Sequence, residues 1–331
     1  MIETIDKIDE KQWEDLVNQS DFASFFQTKE CFDFFSTLSF LSSFVYGVVE
    51  DNRLKGVISG YIVLAKNPLS RFFSKRAIIQ GGPLISNDIS DEALAALLNH
   101  LKINLRKKAI YIEIRNSFDY SRFKAIFEKN GFDYCPHFNF QVDTKSGINA
   151  VFQNLSKSKR RQIRHSQKAG IEIIDTKDQQ DIDQFYDILF NLYRHKVKKP
   201  LFPKEFIEKL ITLPQGHLFV AKYEQQVISG MACVCWNKQT VYEWLVGGND
   251  EKFKSVYPSV AITFGAIEFA ANNGYQLFDF MGAGNPDEAY GVREFKAKFG
   301  GRLVEYGRFM CVNNKYLYQF GKFVIRLIKI I

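Results

Sequence analysis

Two stretches of this 331-residue sequence concentrate side chains capable of chemistry. The first runs Asn154-Leu155-Ser156-Lys157-Ser158-Lys159-Arg160-Arg161-Gln162-Ile163-Arg164-His165, and Lys157 to Lys168 holds six Lys or Arg residues and no acid. Ser156 suits a helix N-cap, which sets Arg160 and Arg164 one turn apart on a common face, with Arg161 beside them. Guanidinium forks match phosphate oxygens in pairs, so this face expects an anionic ligand. A solvated basic face is the alternative, but it normally carries acids as well. The second stretch, Tyr275 to Arg308, reads as a strand around Leu277-Phe278-Asp279-Phe280-Met281. The loop Gly282-Ala283-Gly284-Asn285-Pro286 follows, then Gly291-Val292-Arg293-Glu294-Phe295-Lys296-Ala297-Lys298-Phe299-Gly300-Gly301. Gly282 and Gly284 let a ligand approach the backbone closely, and ligands of open α/β sheets gather beyond the carboxyl ends of strands. A purely structural turn is the competing reading.

The elements that must position these residues come in two similar sets. Val57-Ile58-Ser59-Gly60 recurs as Val227-Ile228-Ser229-Gly230, and Phe123-Lys124-Ala125-Ile126-Phe127 recurs in outline as Phe295-Lys296-Ala297-Lys298-Phe299, at nearly the same offset. Matches in the same order point to domain duplication. Phe44 to Glu50, the turn Asp51-Asn52, and Leu54 to Ala65 form one expected hairpin. Leu218 to Tyr223, the turn Glu224-Gln225-Gln226, and Val227 to Trp236 form the other. Each is followed by a strand, a helix (Asp91 to Lys107; Pro258 to Asn273), a strand (Ile110 to Arg115; Gln276 to Met281) and a second helix. That succession resembles an acetyltransferase-like domain. Helices over Lys157 to Ala169, Asp181 to His195 and Pro203 to Leu213 precede the second hairpin, with Pro200 and Pro203 separating the last two. The fold class expected is α/β (α+β): two tandem domains with mixed sheets flanked by helices, 1–147 and 148–331, divided at the polar turn Lys145-Ser146-Gly147 after a strand Phe138 to Val142.

Composition sets limits around this reading. A chain with 46% hydrophobic and 24% charged residues folds, and 32 Phe residues imply aromatic-rich cores. The net charge of +7 suits an anionic partner. Five scattered cysteines, Cys31, Cys135, Cys233, Cys235 and Cys311, read as buried thiols, and no second Cys/His pair completes a metal site. The acidic N-terminal stretch has no apolar signal region and nothing is long enough to span a bilayer, so a cytoplasmic protein is expected. From Tyr316 to Ile331, Lys322, Arg326 and Lys329 recur in an apolar helix; this basic amphipathic pattern fits either packing on its own domain or peripheral membrane contact.

The basic helix opening Leu-x-x-x-x-Arg (Leu155, Arg160), then Asp279-Phe280-x-Gly282, a variable loop, and Phe295-Lys296-x-x-Phe299-Gly300-Gly301 resemble the Fem-type peptidyltransferases. These enzymes transfer amino acids from aminoacyl-tRNA onto peptidoglycan precursors using two acetyltransferase-like (GNAT-like) domains. The resemblance implies Lys296 at the reaction centre, and Arg160 and Arg164, with Arg161 between them, near the precursor's phosphates. It also implies aminoacyl-tRNA as donor substrate in place of a tightly bound cofactor, and a nucleotide- or lipid-linked peptidoglycan precursor as acceptor. Aminolysis of an ester generates an oxyanion that a positioned ammonium such as Lys296 stabilises. Lys124 is the corresponding residue of the first half. Asp279 and Glu294 are the carboxylates expected to accept the amine proton, unless they pair with Arg293 or Lys298. Trp244, Tyr242 and Tyr257 are read as core or pocket walls, Trp244 and Tyr257 being candidate substrate contacts together with Gly282, Gly284 and Phe295.

The sequence departs from the family pattern at Gln80-Gly81-Gly82-Pro83, where an Arg-Gly-Pro segment is usual, and it has no coiled-coil arm. The acceptor therefore stays open among a lipid-linked sugar, a peptide and another amine. An acyl-CoA-dependent N-acyltransferase is the main alternative, weakened by the glycine-free segment Lys252 to Tyr257 ahead of the Pro258 helix. A non-catalytic basic binding protein is the alternative of another class. The sequence assigns no oligomeric state.

Overall fold

The computed structural model describes residues 1–64, 75–198 and 200–330, with backbone alone for 324–330. Contacts divide the chain into two units, Met1–His137 with Glu305–Ile331, and Phe138–Val304.

The first unit is built on strands β1 (Ile2–Ile5), β2 (Leu41–Glu50), β3 (Arg53–Val63), β4 (Arg76–Gly81), β5 (Leu84–Ile85), β6 (Tyr111–Asn116), β7 (Asp133–Cys135) and β15 (Arg308–Val312). Their order is β1-β2-β3-β4-β6-β15-β7, with β5 pairing β3. Asp51 and Asn52 both take positive φ, the two-residue turn that matches hairpin twist. The β4–β6 pair is parallel. Helix Asp91–Leu105 packs on β1, β2 and β3, and its Leu94, Leu97, Leu98, Leu101 and Leu105 share one core with Ala77, Ile79, Ile112, Ile114 and Phe309.

The second unit repeats the plan with β8 (Phe138–Asp143), β9 (Glu172–Asp175), β10 (Gly216–Tyr223), β11 (Gln226–Trp236), β12 (Thr240–Gly248), β13 (Leu277–Asp279) and β14 (Arg302–Glu305). The order is β14-β8-β13-β12-β11-β10-β9, with β12 and β13 parallel. Helix Pro258–Asn272 is buried along most of its length and packs on one side of the sheet. Helix Gln179–Leu192 packs directly on β11 and β12: a Cβ at Gly230 would stand 2.5 Å from the Phe185 ring, and one at Gly247 would meet Leu189. In the first unit a Cβ at Gly60 would strike the Ile78 carbonyl. The glycine of the repeated Val-Ile-Ser-Gly motif is thus held in both copies by close approach.

The expected division at Lys145 to Gly147 is not where the chain divides. Strand β8 pairs β13 of the second sheet, and β15 pairs β6 and β7 of the first. Each half therefore sends its last strand into the other's sheet, and the C-terminal helix Lys315–Ile330 belongs to the first unit. The expected helices and strands otherwise recur within a few residues. Helix Gln179–Leu192 continues into a π-helical turn, Tyr193–Val197, and the third expected helix shortens to Glu205–Leu210. Ala65, the expected end of β3, lies outside the described residues.

Candidate active site

The site forms where two parallel strands part. Pairing of β12 with β13 ends at Tyr242 and Asp279. Beyond it β12 stays with β11, whereas the chain after β13 follows β8: Phe280 N donates to Phe140 O, Ala283 N to Phe138 O, and Phe138 N to Gly284 O. One residue past the last pair on β12 stands Glu243, and a bulge follows. Cys233 faces Glu243 and Ala232 faces Leu245, so the register shifts by one residue at Trp244.

Lys296 closes this fork. Its Nζ donates to Phe280 O at 2.8 Å and Gly282 O at 2.9 Å, and pairs with Glu243 Oε1 at 2.8 Å. All three ammonium protons are thereby used, two on one prong and one on the other. Both charged side chains are nearly excluded from water, at 9% and 5% exposure. Burial pushes the Glu243 carboxyl above its ordinary value, and the Lys296 charge opposes that rise. Arg293, from the same short helix Gly291–Ala297, holds the rest of the loop by donating to the carbonyls of Ala283, Asn285 and Pro286. Met281 takes φ +54, a conformation uncommon outside glycine, directly between the two carbonyls bound by Lys296.

Asp279 lies in the fork but is committed to its architecture. Its carboxylate accepts from Asn139 Nδ2 (2.8 Å), Gln141 Nε2 (3.0 Å) and Met281 N (2.7 Å), tying β8, β13 and the loop together. Burial raises its pKa and these hydrogen bonds pull it back down. Glu294 is corrected: it sits two residues before Lys296, on the exposed side of the helix, and takes no part in the fork. The carboxylate that does meet Lys296 is Glu243, the one charge in β12, sharing the strand parity of buried Val241. Tyr193, in the π-helical turn, lies within electrostatic reach of Glu243 and Tyr290; burial and these neighbours raise its pKa. The sequence reading missed all three residues.

The basic helix Lys157–Lys168 reaches the Lys296 helix directly. Ser156 caps it, its Oγ accepting from Lys159 N, and Ser156 N donates to Lys298 O at 3.0 Å. Lys159 Nζ lies 3.9 Å from the Phe295 ring centroid and 5.1 Å from that of Phe299. Burial, with repulsion from Lys298, lowers the Lys159 pKa to about 8. Gly300 packs against the Asn154 backbone at φ +78, a conformation and a proximity that exclude a side chain. Arg161 and Arg164 are exposed and line an open depression with Lys157, Ser158 and Arg160. Arg160 is partly committed, with Nη1 donating to Gln153 O (2.6 Å) and Leu155 O (2.8 Å) at the end of helix Gly147–Asn154.

Trp244 packs edge-on against Phe206, and Tyr257, at φ +55, meets the His165 ring at the start of helix Pro258–Asn272. The Tyr290 ring leans on Gly284, where a Cβ would not fit. Lys124, equivalent to Lys296 by the repeat, is half exposed, over the Tyr134 ring and 3.9 Å from Glu128. Its copy of the helix closes no fork. At the N-terminus of helix Pro258–Asn272, Asp250 accepts from Ser259 N (3.1 Å) and Ser259 Oγ. Among the described residues no three His, Cys, Asp or Glu side chains converge on a metal site.

Residues 153–296 match the acetyltransferase (GNAT) domain family. Among solved structures, FemX superposes with a TM-score of 0.70 at 15% identity, over 96% of this chain and 99% of that one. A tandem GNAT protein from the clavulanic acid biosynthesis pathway gives 0.63 at 9%, over 95% and 99%. The C-terminal domain of a putative lysylphosphatidylglycerol synthetase from Agrobacterium fabrum gives 0.58 at 11%, over 95% of each. A sequence search of curated proteins gives no match. The fold is therefore the tandem GNAT fold in its Fem-like form.

Proposed function

We propose that this protein is an aminoacyltransferase that moves an aminoacyl group from aminoacyl-tRNA to an amine of a cell-envelope acceptor, a nucleotide- or lipid-linked peptidoglycan precursor. The observation that carries the reading is the Lys296 ammonium, buried and hydrogen-bonded across the fork to Glu243, Phe280 O and Gly282 O. The fold shared with FemX and the Fem-type motifs support the aminoacyl class.

In this reading the neutral acceptor amine attacks the ester carbonyl carbon, a C–N bond forms, and the carbonyl electron pair moves onto oxygen. Lys296 exchanges one neutral carbonyl acceptor for that oxyanion, a trade favoured because charged acceptors bind an ammonium about twice as strongly. Oriented donors of this kind contribute roughly 10²–10³ in rate. The amine proton passes to the Glu243 carboxylate, whose burial raises its proton affinity toward that task. As the C–O bond breaks, the proton goes to the departing ribose oxygen, and Glu243 is again ionised. Arg161 and Arg164, exposed and without a facing acid in their helix, receive phosphate oxygens of donor or acceptor.

A CoA donor fits less well. GNAT-type pyrophosphate binding uses free backbone N–H groups at a helix N-terminus. Here the Asp250 carboxylate already caps that end of helix Pro258–Asn272. A tRNA donor implies a cytoplasmic location. The test offers the purified protein a pool of labelled aminoacyl-tRNA and, in parallel, labelled acetyl-CoA, each with nucleotide-linked and lipid-linked precursor. Label entering an alkali-stable amide from tRNA supports the proposal. Label arriving only from acetyl-CoA replaces it with the CoA-dependent reading.

A further inference from the structure

The C-terminal helix Lys315–Ile330 plays no part in the fork, and its surface is unusual. Its start is anchored in the first unit: Asn314 N donates to Ile110 O at 3.1 Å, and the Tyr318 ring meets Tyr111 edge-on at 5.4 Å between centroids. Large apolar residues around the first turn are exposed. Tyr316 is 88% exposed, Phe320 50% and Phe323 58%.

At about 100° per residue these three fall within a sector of roughly 60°. Lys315 and Lys322 fall together in a second sector, about 100–120° to one side of Tyr316. Leu317, Tyr318 and Gly321, the less exposed positions, form a third sector facing the unit. From Asn313 to Ile331 there is no acid. A helix packed only on its own domain would bury its aromatic stripe; this one keeps half or more of each ring exposed, beside Lys315 and Lys322. No described helix is long and apolar enough to cross a membrane.

We infer that this helix seats the protein on an anionic lipid surface, with Tyr316, Phe320 and Phe323 entering the headgroup boundary and Lys315 and Lys322 facing lipid phosphates. The charge argues for that occupant over a second copy of the chain, because two such helices facing each other would bring Lys315 and Lys322 of each together with no acid in either. An aromatic face flanked by Lys and Arg is the composition that lies in the interfacial plane. The inference is independent of the transfer reaction.

The test measures co-sedimentation of the full chain with vesicles of equimolar phosphatidylglycerol and phosphatidylcholine, and with phosphatidylcholine alone. Wild type is expected to bind the anionic vesicles and to be released by salt. Each basic residue contributes roughly fivefold, so Lys315→Gln with Lys322→Gln lowers partitioning about 25-fold. Phe320→Ser with Phe323→Ser lowers it at least tenfold while leaving the thermal unfolding midpoint unchanged. Equal binding to both vesicles, binding untouched by either pair, or a wild-type dimer that dissociates in Phe320→Ser/Phe323→Ser without any vesicle binding would each overturn the inference.

Discussion

Replacing Lys296 by Met keeps the aliphatic stem and removes the ammonium, so the loss falls on the groups it satisfies. Phe280 O and Gly282 O lose their donor, at about 1 kcal/mol each. Glu243 is left buried without its cation and takes up a proton instead. Holding a carboxyl neutral at pH 7 costs about 4 kcal/mol relative to an unfolded value near 4.3. The sum is about 6 kcal/mol at pH 7. Its acid-dependent part falls by about 1.4 kcal/mol for each pH unit below 7. The sign follows from direction: burial already raises the folded Glu243 pKa, and losing Lys296 raises it further. A raised folded value gives stability that is full below the unfolded value and lost as pH rises through the folded one. The Lys296→Met deficit therefore grows from pH 5 to pH 8. Urea unfolding read by Trp fluorescence in a Trp13→Phe background reports only the second unit, which holds Trp236 and Trp244. In Lys296→Met/Glu243→Gln the acid-dependent part vanishes, giving a coupling of about 2–4 kcal/mol. A coupling below about 0.5 kcal/mol, or a deficit flat with pH, would refute the fork as described.

Other perturbations test separate parts of the structure. Arg161→Gln with Arg164→Gln should raise the KM for the anionic substrate about tenfold and leave kcat in place, since both side chains are exposed; an unchanged KM removes them from binding. Gly60→Ala should destabilise more than Gly230→Ala, because its Cβ meets a backbone carbonyl and not a side-chain ring, with each losing at least 1–3 kcal/mol in urea midpoints. His217 is opposed by burial but held protonated by Asp175 at 2.7 Å and by Cys235, which together raise its pKa to about 9. Its stability, about 2–3 kcal/mol, is full below its unfolded value near 6.5 and fades as pH climbs through about 9. His217→Gln should flatten that portion of the stability profile.

The sequence carried the architecture well where the physics was local. The two hairpins, the helices after them and the repeated Val-Ile-Ser-Gly are patterns of period, turn chemistry and packing that a short window contains. The division of the chain was not local. Phe138 to Asp143 follows the first half without a break, and only its pairing with β13 assigns it to the second unit. The same holds for β15 and the C-terminal helix, whose amphipathic pattern states that it is a helix without stating where it packs.

Within the site, Lys296 was legible through its motif and Asp279 through its place at a strand end. Glu294 shared a helix with Lys296, but two residues of separation set it on another face. Glu243 was obscured by Tyr242 and Trp244 on either side. The available signal was a lone charge at a buried parity in an otherwise uncharged strand, since an acid there demands a buried cation. The commitment of Arg293 to loop carbonyls, which removes it as a partner for Asp279 or Glu294, depends on a loop path that no pattern encodes.

The central claim is that the Lys296 ammonium stabilises the transition state of aminoacyl transfer. Its most direct test is single-turnover transfer from aminoacyl-tRNA to a peptidoglycan precursor by wild type and Lys296→Met, at a pH where fluorescence shows both folded. The account predicts a fall of roughly 10²–10³ in the transfer rate with tRNA affinity retained. Transfer by Lys296→Met at the wild-type rate would contradict it.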